Sequence, residues 1–390
     1  MELTNKSYLI IGCGITGATM ARLLADHGAQ YVKVIEAKSH LGGNVYDQYD
    51  DHHILYHVYG PHILHTNYEE VWNFVNSYTS MIEFRHQVLA SYQNELVPLP
   101  INLDSILLMT NHNEQLINKL LATYPHTKTI TINQLVNSND EQLRTLGQLI
   151  FDNIYANYTQ KMWNISAKDI DKNVLNRLQI HLNHQWDYFP NDKYTGVPTN
   201  GYTSFIESLV NHPHIEVLLN HPMQVNYDLN SLKLLLTNHV YDGIFYTGMI
   251  DSLFNFKYGH LPYRSLHFEF KYINYAPYQP ASVLNYPSHP YMTRITDYNF
   301  LLRQNLTHTV IGMEYPGQYD PSDLAFNIPY YPINNQNTRN IYSQYVNELK
   351  TIPNLYCLGR LGTYSYIDMD DSIYQCMQLI KELIGKDGTK

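Results

Sequence analysis

Several features are scarce in this 390-residue sequence, and each scarcity excludes a class of protein. Three cysteines, Cys13, Cys357 and Cys376, lie far apart, which argues against a disulfide-rich secreted domain and predicts reduced, buried thiols in a cytoplasmic protein. No apolar run approaches the roughly 18 residues of a membrane-spanning helix, and no signal peptide is evident, so no membrane span is predicted. Lys and Arg total 25 against 35 Asp and Glu, with no long basic run, so nucleic-acid binding is not expected.

Tyrosine and histidine are the abundant residues, at 36 and 20 copies. Many tyrosines suit a cleft for a polar, ring-bearing ligand, although a general bias toward Tyr, Asn and His would give the same counts. The net charge of −10 means that an anionic ligand would have to be held by a few local donors. The length predicts two or three domains.

The first forty residues have the pattern of a βαβ unit. Tyr8 to Ile11 is a short apolar strand, and the glycine motif GCGITG, residues 12–17, follows it directly. A helical segment comes next, and a second strand then ends at Glu36. In such a unit the glycines permit a tight turn and close approach of a pyrophosphate, and the acidic residue accepts hydrogen bonds from a ribose. The spacing predicts dinucleotide binding.

The nature of the dinucleotide is indicated by the next segment, EAKSHLGGNVYD. A pair of glycines, Gly42 and Gly43, lies just after the ribose-binding acid, where an NAD domain would normally have a helix. Two glycines let the backbone pass close to a cofactor. This pattern favours FAD.

The rest of the chain alternates between helical and strand-like patterns. Residues 104–168 have helical spacing, residues 85–103 and 215–248 resemble strands, and residues 263–316 alternate in the manner of an antiparallel sheet. The C-terminal segment is predicted as strand, loop and helix. The first and last segments are expected to fold together in an α/β nucleotide domain.

Nine sequence blocks, in order, resemble the bacterial flavin-dependent UDP-galactopyranose mutase family. They are GGNVYD, YGPHILHT, LVPLPINL, YTQKMW, YTGVPTNGYT, YTGMID, LPYRSLHFE, IPYYPIN and GRLGTYSYIDMD. The resemblance covers nearly the whole chain.

The resemblance implies an α/β fold: an FAD-binding Rossmann domain with a helical-bundle insertion and a six-stranded antiparallel sheet domain. The implied boundaries are residues 1–80, 198–255 and 336–390 for the discontinuous FAD domain, 104–170 for the helical domain with a mobile substrate loop, and 81–103, 171–197 and 256–335 for the sheet domain. The implied reaction interconverts the pyranose and furanose forms of UDP-galactose through attack of N5 of reduced FAD on the anomeric carbon. The implied protein is a cytoplasmic homodimer that binds a UDP-sugar.

The family resemblance and the glycine motif together give a set of cofactor-binding residues. Arg360 is expected on the pyrophosphate and the start of the last helix beside the flavin, although Asp368 has an equal claim to be only a helix cap. The set is Gly12, Gly14, Ile15, Thr16, Gly17, Glu36, Ala37, Gly43, Asn44, Tyr59, Gly60, His62, Thr247, Gly248, Arg360, Tyr366, Asp368 and Met369.

A second set of residues is expected to bind or act on the substrate. By resemblance, Arg294 contacts the diphosphate, and His62 and His65 form a wall beside the flavin; these three are the catalytic candidates. No helix carries the two histidines and Pro61 precedes them, so no metal site is predicted. The expected substrate-binding residues are Asn102, Tyr155, Tyr158, Trp163, His181, Tyr194, Asn285, Arg294, Tyr330 and Tyr366.

One block departs from the family pattern. The family usually carries two arginines in a motif of the form R-x-P-V-R, and here Arg177 matches the first, but His181 stands at the second and Gln179 replaces the proline. An extra residue, Pro190, follows. Histidine gives at most one conditional charge and no bidentate contact. The chain is therefore either a mutase with a rearranged diphosphate site, a mutase for another nucleotide sugar, or a flavoenzyme with other chemistry on sugar nucleotides; an amine-oxidase-like oxidoreductase and an inactive binding protein are the rival classes.

Overall fold

The computed structural model describes residues 3–163, 178–223 and 227–387. The strands in chain order are β1 Ser7–Ile11, β2 Tyr31–Ile35, β3 Asp47–Tyr49, β4 Leu55–His57, β5 Leu64–Thr66, β6 Met81–Glu83, β7 Val88–Tyr92, β8 Glu95–Leu99, β9 Thr129–Thr131, β10 Gln179–His181, β11 Tyr194–Pro198, β12 Ile215–Leu218, β13 Gly243–Tyr246, β14 Tyr263–Ile273, β15 Val283–Asn285, β16 Arg294–Asp297, β17 Thr309–Gln318, β18 Tyr331–Pro332 and β19 Leu355–Cys357. The α-helices are α1 Ile15–Asp26, α2 Glu69–Tyr78, α3 Leu103–Met109, α4 Glu114–Thr123, α5 Ile132–Val136, α6 Glu141–Ile150, α7 Asn157–Trp163, α8 Gly201–Val210, α9 Leu229–Thr237, α10 Ile250–Leu253, α11 Tyr298–Leu301, α12 Gln336–Leu349, α13 Gly359–Gly362 and α14 Met369–Asp387.

A parallel sheet forms the nucleotide domain, with the order β12-β2-β1-β13-β19. Alternate residues of β1 face opposite sides, since Ile10 packs in one buried cluster and Leu9 and Ile11 pack in another. Helices α1 and α14 pack together against the first cluster. The strands come from the N-terminal, middle and C-terminal parts of the chain, so this domain is discontinuous.

A second sheet, in the order β18-β14-β17-β16-β15-β7-β8, differs from the predicted six-stranded antiparallel sheet. Within the described ranges it has seven strands, and β15 pairs with β7 in parallel. Strand β18 is only two residues long, which is too short for a period-2 pattern to reveal. The parallel pairing depends on a contact between segments almost 200 residues apart, which local sequence does not specify.

The helical part is centred on α3 to α7, around a cluster that includes Ile106, Leu120, Leu143 and Ile150. A π-helical segment, Phe151–Ala156, joins α6 to α7. Strand β10 pairs with β9 in this region, and β11 pairs with β5 and β6. The prediction placed these two strands in the sheet domain, but neither belongs to the large sheet. The residues between 164 and 177, including the predicted loop and Arg177, lie outside the described residues.

The three cysteines carry free thiols. Burial raises the pKa of both Cys357 and Cys376 to about 12, so these groups are held as unreactive thiols at neutral pH. In the part of the chain that the structure describes, no helix combines the length and apolar character needed to cross a membrane.

Candidate active site

One cleft opens at the carboxyl ends of strands β1, β2 and β13, where an open α/β sheet commonly binds its ligand. Its lining includes Gly12, Gly14, Glu36, Lys38 and Thr247, and we call it the glycine cleft. Each of the three strands contributes the residues that immediately follow its last residue. The strand ends therefore position the cleft.

The glycine motif forms the tight turn that the sequence predicts. Gly12 has a φ of +103°, and a Cβ atom there would lie 2.1 Å from Oγ1 of Thr247. A Cβ atom on Gly17 would lie 2.0 Å from the carbonyl oxygen of Gly12, so this glycine brings α1 onto the sheet. Gly14 precedes α1 and provides no side-chain cap, which leaves the first-turn N–H groups for a ligand.

Glu36 and Lys38 lie together at the end of β2. Glu36 accepts hydrogen bonds from the backbone N–H of Cys13 at 2.7 Å and of Lys38 at 2.9 Å. The Nζ atom of Lys38 is buried with no hydrogen-bond partner among the described residues, although it lies 3.9 Å from the ring centroid of Tyr59. Burial lowers the pKa of Lys38 to about 8. A buried ammonium group without a hydrogen-bond partner, as on Lys38, fits an anionic cofactor in this cleft.

A second cleft adjoins the first. Four tyrosines, Tyr158, Tyr188, Tyr331 and Tyr366, line it around Arg294, and we call it the tyrosine cleft. Its volume is ≈ 390 Å³, within the range of roughly 300–1,000 Å³ that is typical of small-molecule sites. The two clefts share the residues His62, Arg360, Asp368 and Met369 as a common wall.

Arg294 is the charged centre of the tyrosine cleft. Its Nε and Nη2 atoms donate to Oε2 of Glu314 at 2.8 and 2.6 Å, and the other carboxylate oxygen accepts from Oγ1 of Thr293 at 2.6 Å. Burial disfavours the charge, but Glu314 outweighs it, and the pKa of Arg294 is raised. The side chain keeps 23% exposure, whereas Glu314 keeps 1%. The guanidinium is therefore fixed in place and still faces the cleft.

His62 lies in the common wall as a neutral imidazole. Its Nδ1 lies 2.7 Å from the carbonyl oxygen of Gly60, which can only accept, so Nδ1 carries the proton and Nε2 is an acceptor. Burial lowers the pKa of His62 to about 3. Gly60 has a φ of +93°, and a Cβ there would lie 2.5 Å from Phe268. The segment therefore needs glycine to place His62.

His65, on β5, also lines the tyrosine cleft. Its Nδ1 lies 2.8 Å from Oδ2 of Asp192, and its ring stacks on Phe189 at a centroid distance of 3.8 Å. Both partners come from the segment between β10 and β11. The ring is thus held by packing and by one carboxylate.

Arg360 lies where the two clefts meet. Its Nη2 donates to the carbonyl oxygen of Ile367 at 2.7 Å and lies 3.8 Å from Oδ1 of Asp368. Its guanidinium lies 5.2 and 5.0 Å from the rings of Tyr331 and Tyr366, which stack on each other. Asp368 therefore faces Arg360 with its side chain while its carbonyl accepts the backbone N–H of Ser372 in α14.

The structure brings most of the predicted site residues to one of the two clefts. Those that line the glycine cleft are Gly12, Gly14, Ile15, Thr16, Glu36, Ala37, Gly43, Asn44, His62, Thr247, Gly248, Arg360, Asp368 and Met369. Those that line the tyrosine cleft are His62, His65, Tyr158, Trp163, Asn285, Arg294 and Tyr366.

Other predicted cofactor residues lie behind the lining. Gly17 serves the packing of α1, Tyr59 lies under the ammonium group of Lys38, and Gly60 accepts from His62. Tyr366, predicted for both ligands, lines the tyrosine cleft only.

Three predicted substrate residues have structural roles instead. Asn102 is fully buried and caps α3: its Oδ1 accepts the backbone N–H of Ser105, and its Nδ2 donates to the carbonyl oxygen of Gln185. Tyr194 stacks on Trp72 in the nucleotide domain. Tyr155 packs among the apolar side chains of the helical part, and burial raises its pKa. None of the three lines either cleft.

The remaining two predicted substrate residues, Tyr330 and His181, also lie outside both clefts. Tyr330 is buried against Met162 and Leu266, and its neighbour Tyr331 lines the cleft in its place. His181 pairs with Thr129 in the β9–β10 ladder and does not line the cleft. Burial lowers the pKa of His181, so it adds no positive charge at neutral pH. It is therefore badly placed to replace an arginine on the diphosphate.

Several cleft residues were missed by sequence reasoning. They are Lys38 and His221 in the glycine cleft, His86, Tyr188, Phe189 and Tyr331 in the tyrosine cleft, and Glu314 behind Arg294. Strand β18 is too short for alternation to distinguish Tyr331 from Tyr330, and tertiary packing decides which of the two lines the cleft. Local sequence carries no signal for Glu314, since its partner comes from another strand.

Comparisons with known proteins identify relatives of this chain. A family model described as UDP-galactopyranose mutase matches residues 153–366, more than half of the chain, and one described as an NAD(P)-binding Rossmann-like domain matches residues 10–78. The UDP-galactopyranose mutase of Mycoplasma pneumoniae is 35% identical over 388 residues, covering 97% of each chain. The dTDP-fucopyranose mutase of Escherichia coli is 35% identical over 384 residues, covering 96% of this chain and 98% of that protein.

The fold also matches a solved structure. A crystal structure of reduced UDP-galactopyranose mutase superposes with a TM-score of 0.66 at 16% identity, covering 98% of this chain and 96% of that chain. The likeness extends over both sheets and the helical part. The chain belongs to the UDP-galactopyranose mutase family.

Proposed function

We propose that this protein interconverts the pyranose and furanose forms of UDP-galactose with reduced FAD as its cofactor. The observation that carries the proposal is the common wall of His62, Arg360, Asp368 and Met369 between the glycine cleft and the tyrosine cleft. A dinucleotide in the first cleft and a nucleotide sugar in the second would meet there.

The residues of the glycine cleft fit FAD. The Gly12 turn, the uncapped start of α1 and the unpartnered Lys38 ammonium would hold the diphosphate and ribose end. Met369, at the start of α14, lines both clefts, and a helix N-terminus favours negative charge. When bound and reduced, FAD would supply the electron pair that attacks the anomeric carbon of the sugar.

The tyrosine cleft has the groups needed to bind and orient a sugar diphosphate. Arg294 presents a fixed positive charge, and the hydroxyl groups of Tyr331 and Tyr366 can donate to phosphate oxygens. Arg360 lies on the same side and adds a second guanidinium. These two arginines, rather than His181, would balance the diphosphate charge and that of the UDP leaving group.

The common wall places a hydrogen-bond acceptor beside both clefts. Because His62 is neutral, its Nε2 can accept a hydrogen bond from a sugar hydroxyl or from a reduced ring. Tyr158, Trp163 and Phe189 cover the cleft with aromatic surface, which would limit access of water to the anomeric carbon.

The direct test uses purified, FAD-loaded protein reduced with dithionite and supplied with UDP-galactopyranose. Furanose product measured by HPLC is expected, and oxidised protein should give little. An Arg294→Met variant should lose most of the activity, whereas Arg339→Gln, an exposed change on α12, should not. Absence of furanose from reduced protein that demonstrably holds FAD contradicts the proposal for this sugar.

A second candidate substrate is dTDP-fucopyranose. The relative described as a dTDP-fucopyranose mutase is as similar to this chain as the Mycoplasma pneumoniae relative, at 35% identity. The same assay with dTDP-fucopyranose distinguishes the two, as does competition between UDP and dTDP for the reduced protein. A larger kcat/KM for the dTDP-sugar would favour this candidate.

We further propose that the protein acts in the cytoplasm as a homodimer. This rests on the family resemblance. Sedimentation of the FAD-loaded protein and cell fractionation test it, and a monomer at micromolar concentration would contradict the dimer.

A further inference from the structure

Lys161 occupies an unusual position next to the tyrosine cleft. Its Nζ atom lies 2.8 Å from the carbonyl oxygen of Tyr286, 3.1 Å from that of Pro287, 2.8 Å from that of His289 and 2.9 Å from that of Met292. An ammonium group has three protons, so at least one of them is shared between two carbonyl oxygens. One side chain of α7 thus gathers four backbone groups of a single loop.

The loop that Lys161 binds connects β15 to β16. Asn285 is the last residue of β15 and Arg294 is the first residue of β16, and both line the tyrosine cleft. The loop has few bonds of its own: the backbone N–H of Tyr286 donates to the carbonyl oxygen of Thr293, the N–H of His289 donates to the carbonyl oxygen of Tyr286 at 3.2 Å, and Nδ1 of His289 accepts from the N–H groups of Tyr291 and Met292. Among the described residues, the other three carbonyl oxygens that Lys161 binds accept from Lys161 only.

The helix that carries Lys161 forms the facing wall. Tyr158 and Trp163, on either side of Lys161 in α7, line the tyrosine cleft. Arg264 holds the end of this helix through the carbonyl oxygens of Met162, at 2.5 Å, and of Lys161, at 2.9 Å. The backbone of α7 is thereby tied to β14, and its Lys161 side chain to the β15–β16 loop.

The charge of Lys161 is balanced by the dipoles of the four loop carbonyl groups. It forms no ion pair with a carboxylate in the described parts of the chain, and it is half-buried. Burial lowers its pKa to about 8. A buried ammonium is costly unless its hydrogen bonds are made, so the loop carbonyls and the lysine stabilise each other.

We propose that Lys161 is a positioning residue that holds the Asn285–Arg294 wall and the Tyr158–Trp163 wall of the tyrosine cleft at their working separation. As an inference about substrate binding, this rests on the proposed function. Without the ammonium group, the carbonyl groups of the loop lose the donor that holds them together. The distance between Arg294 and Tyr158 on the facing wall then varies. The diphosphate of the substrate is the group affected.

The test compares FAD-loaded Lys161→Met with the parent protein. Methionine keeps the apolar stem and removes the charge. Lys350→Met, an exposed change at the end of α12, is the matched control. We expect faster amide hydrogen exchange in residues 286–292, a roughly tenfold higher Kd for UDP and a higher KM with a smaller change in kcat. Retention of FAD should be unchanged, and Lys161→Arg should recover part of the affinity because it restores the positive charge.

Two results overturn the proposal. One is equal exchange of residues 286–292 in Lys161→Met and parent with the same Kd for UDP. The other is an increase in exchange spread evenly over both sheets with loss of FAD, which would mark a general loss of stability. Exchange is measured without substrate, so failure of the parent to bind UDP would count against the proposed function alone.

Discussion

The Arg294–Glu314 pair gives a quantitative prediction about the tyrosine cleft. Glu314 is 1% exposed and accepts from Arg294 twice and from Thr293 once. Glu314→Gln keeps the size of the side chain but removes the negative charge. Arg294 then remains as a largely buried cation without its counter-ion.

Two independent estimates give the size of the effect. Opposite unit charges about 4 Å apart interact by roughly 4 kcal/mol at an effective dielectric constant near 20. Removal of one partner from a buried ion pair typically costs about 3–5 kcal/mol. The glutamine amide can keep some of the hydrogen bonds, so we expect a loss of about 3 kcal/mol in the free energy of unfolding.

The assay is urea unfolding of the FAD-loaded protein, monitored by circular dichroism. The slope of the unfolding free energy against urea concentration should be the same in all variants. Glu348→Gln is the matched control, because Glu348 bonds Lys257 and Tyr258 at the surface, where a pair contributes about 1 kcal/mol or less. The double variant Arg294→Met/Glu314→Met should be more stable than Glu314→Gln, since it leaves no unpaired charge. A loss of unfolding free energy for Glu314→Gln no larger than that for Glu348→Gln would contradict the role of Glu314 as the buried counter-ion of Arg294.

Three further predictions concern the glycine cleft and the common wall. Lys38→Met should weaken FAD binding by roughly 10- to 100-fold, because it removes a charge-assisted contact worth about 1.5–3 kcal/mol; an unchanged Kd for FAD by fluorescence would exclude that contact. The imidazole NMR signals of His62, assigned with His62→Gln, should not shift between pH 5 and 8, because burial lowers its pKa to about 3. Since this pKa lies below the ordinary 6.5, His62 lowers the free energy of unfolding increasingly as the pH falls below 6.5. Titration of His62 near neutral pH would contradict a neutral imidazole in the common wall. Gly12→Ala should lose FAD and at least about 2 kcal/mol of unfolding free energy, because its φ is +103° and the new Cβ would meet Thr247; Gly385→Ala, in open space on α14, is the control and should be neutral or stabilising.

Local sequence was sufficient for the part of the glycine cleft that the first 45 residues form. The motif from Gly12 to Gly17, the acid at Glu36 and the pair Gly42–Gly43 lie close together in the chain, although Gly12 also approaches Thr247 from a distant segment. The contacts within this part join residues close in the chain, so their spacing carries the geometry. Lys38 was missed because nothing local shows that its side chain is buried.

Local sequence was less sufficient for the tyrosine cleft. Its residues come from β5, α7, the segment before β11, four strands of the large sheet and the segment before α14. Block similarity identified Arg294, Asn285 and Tyr158. It misplaced Asn102 and Tyr194, whose side chains are used by a helix cap and by an aromatic stack.

The sequence by itself determined the dinucleotide-binding unit and the family, and it identified many of the residues that line the two clefts, because these features depend on short motifs of fixed spacing. The tertiary structure alone decided which of two adjacent tyrosines faces the cleft, that His181 lies in a separate ladder, that Glu314 binds Arg294 and that Lys161 binds the β15–β16 loop. These features depend on pairing between distant segments, where burial and the direction of each side chain are fixed only when the sheets and helices pack.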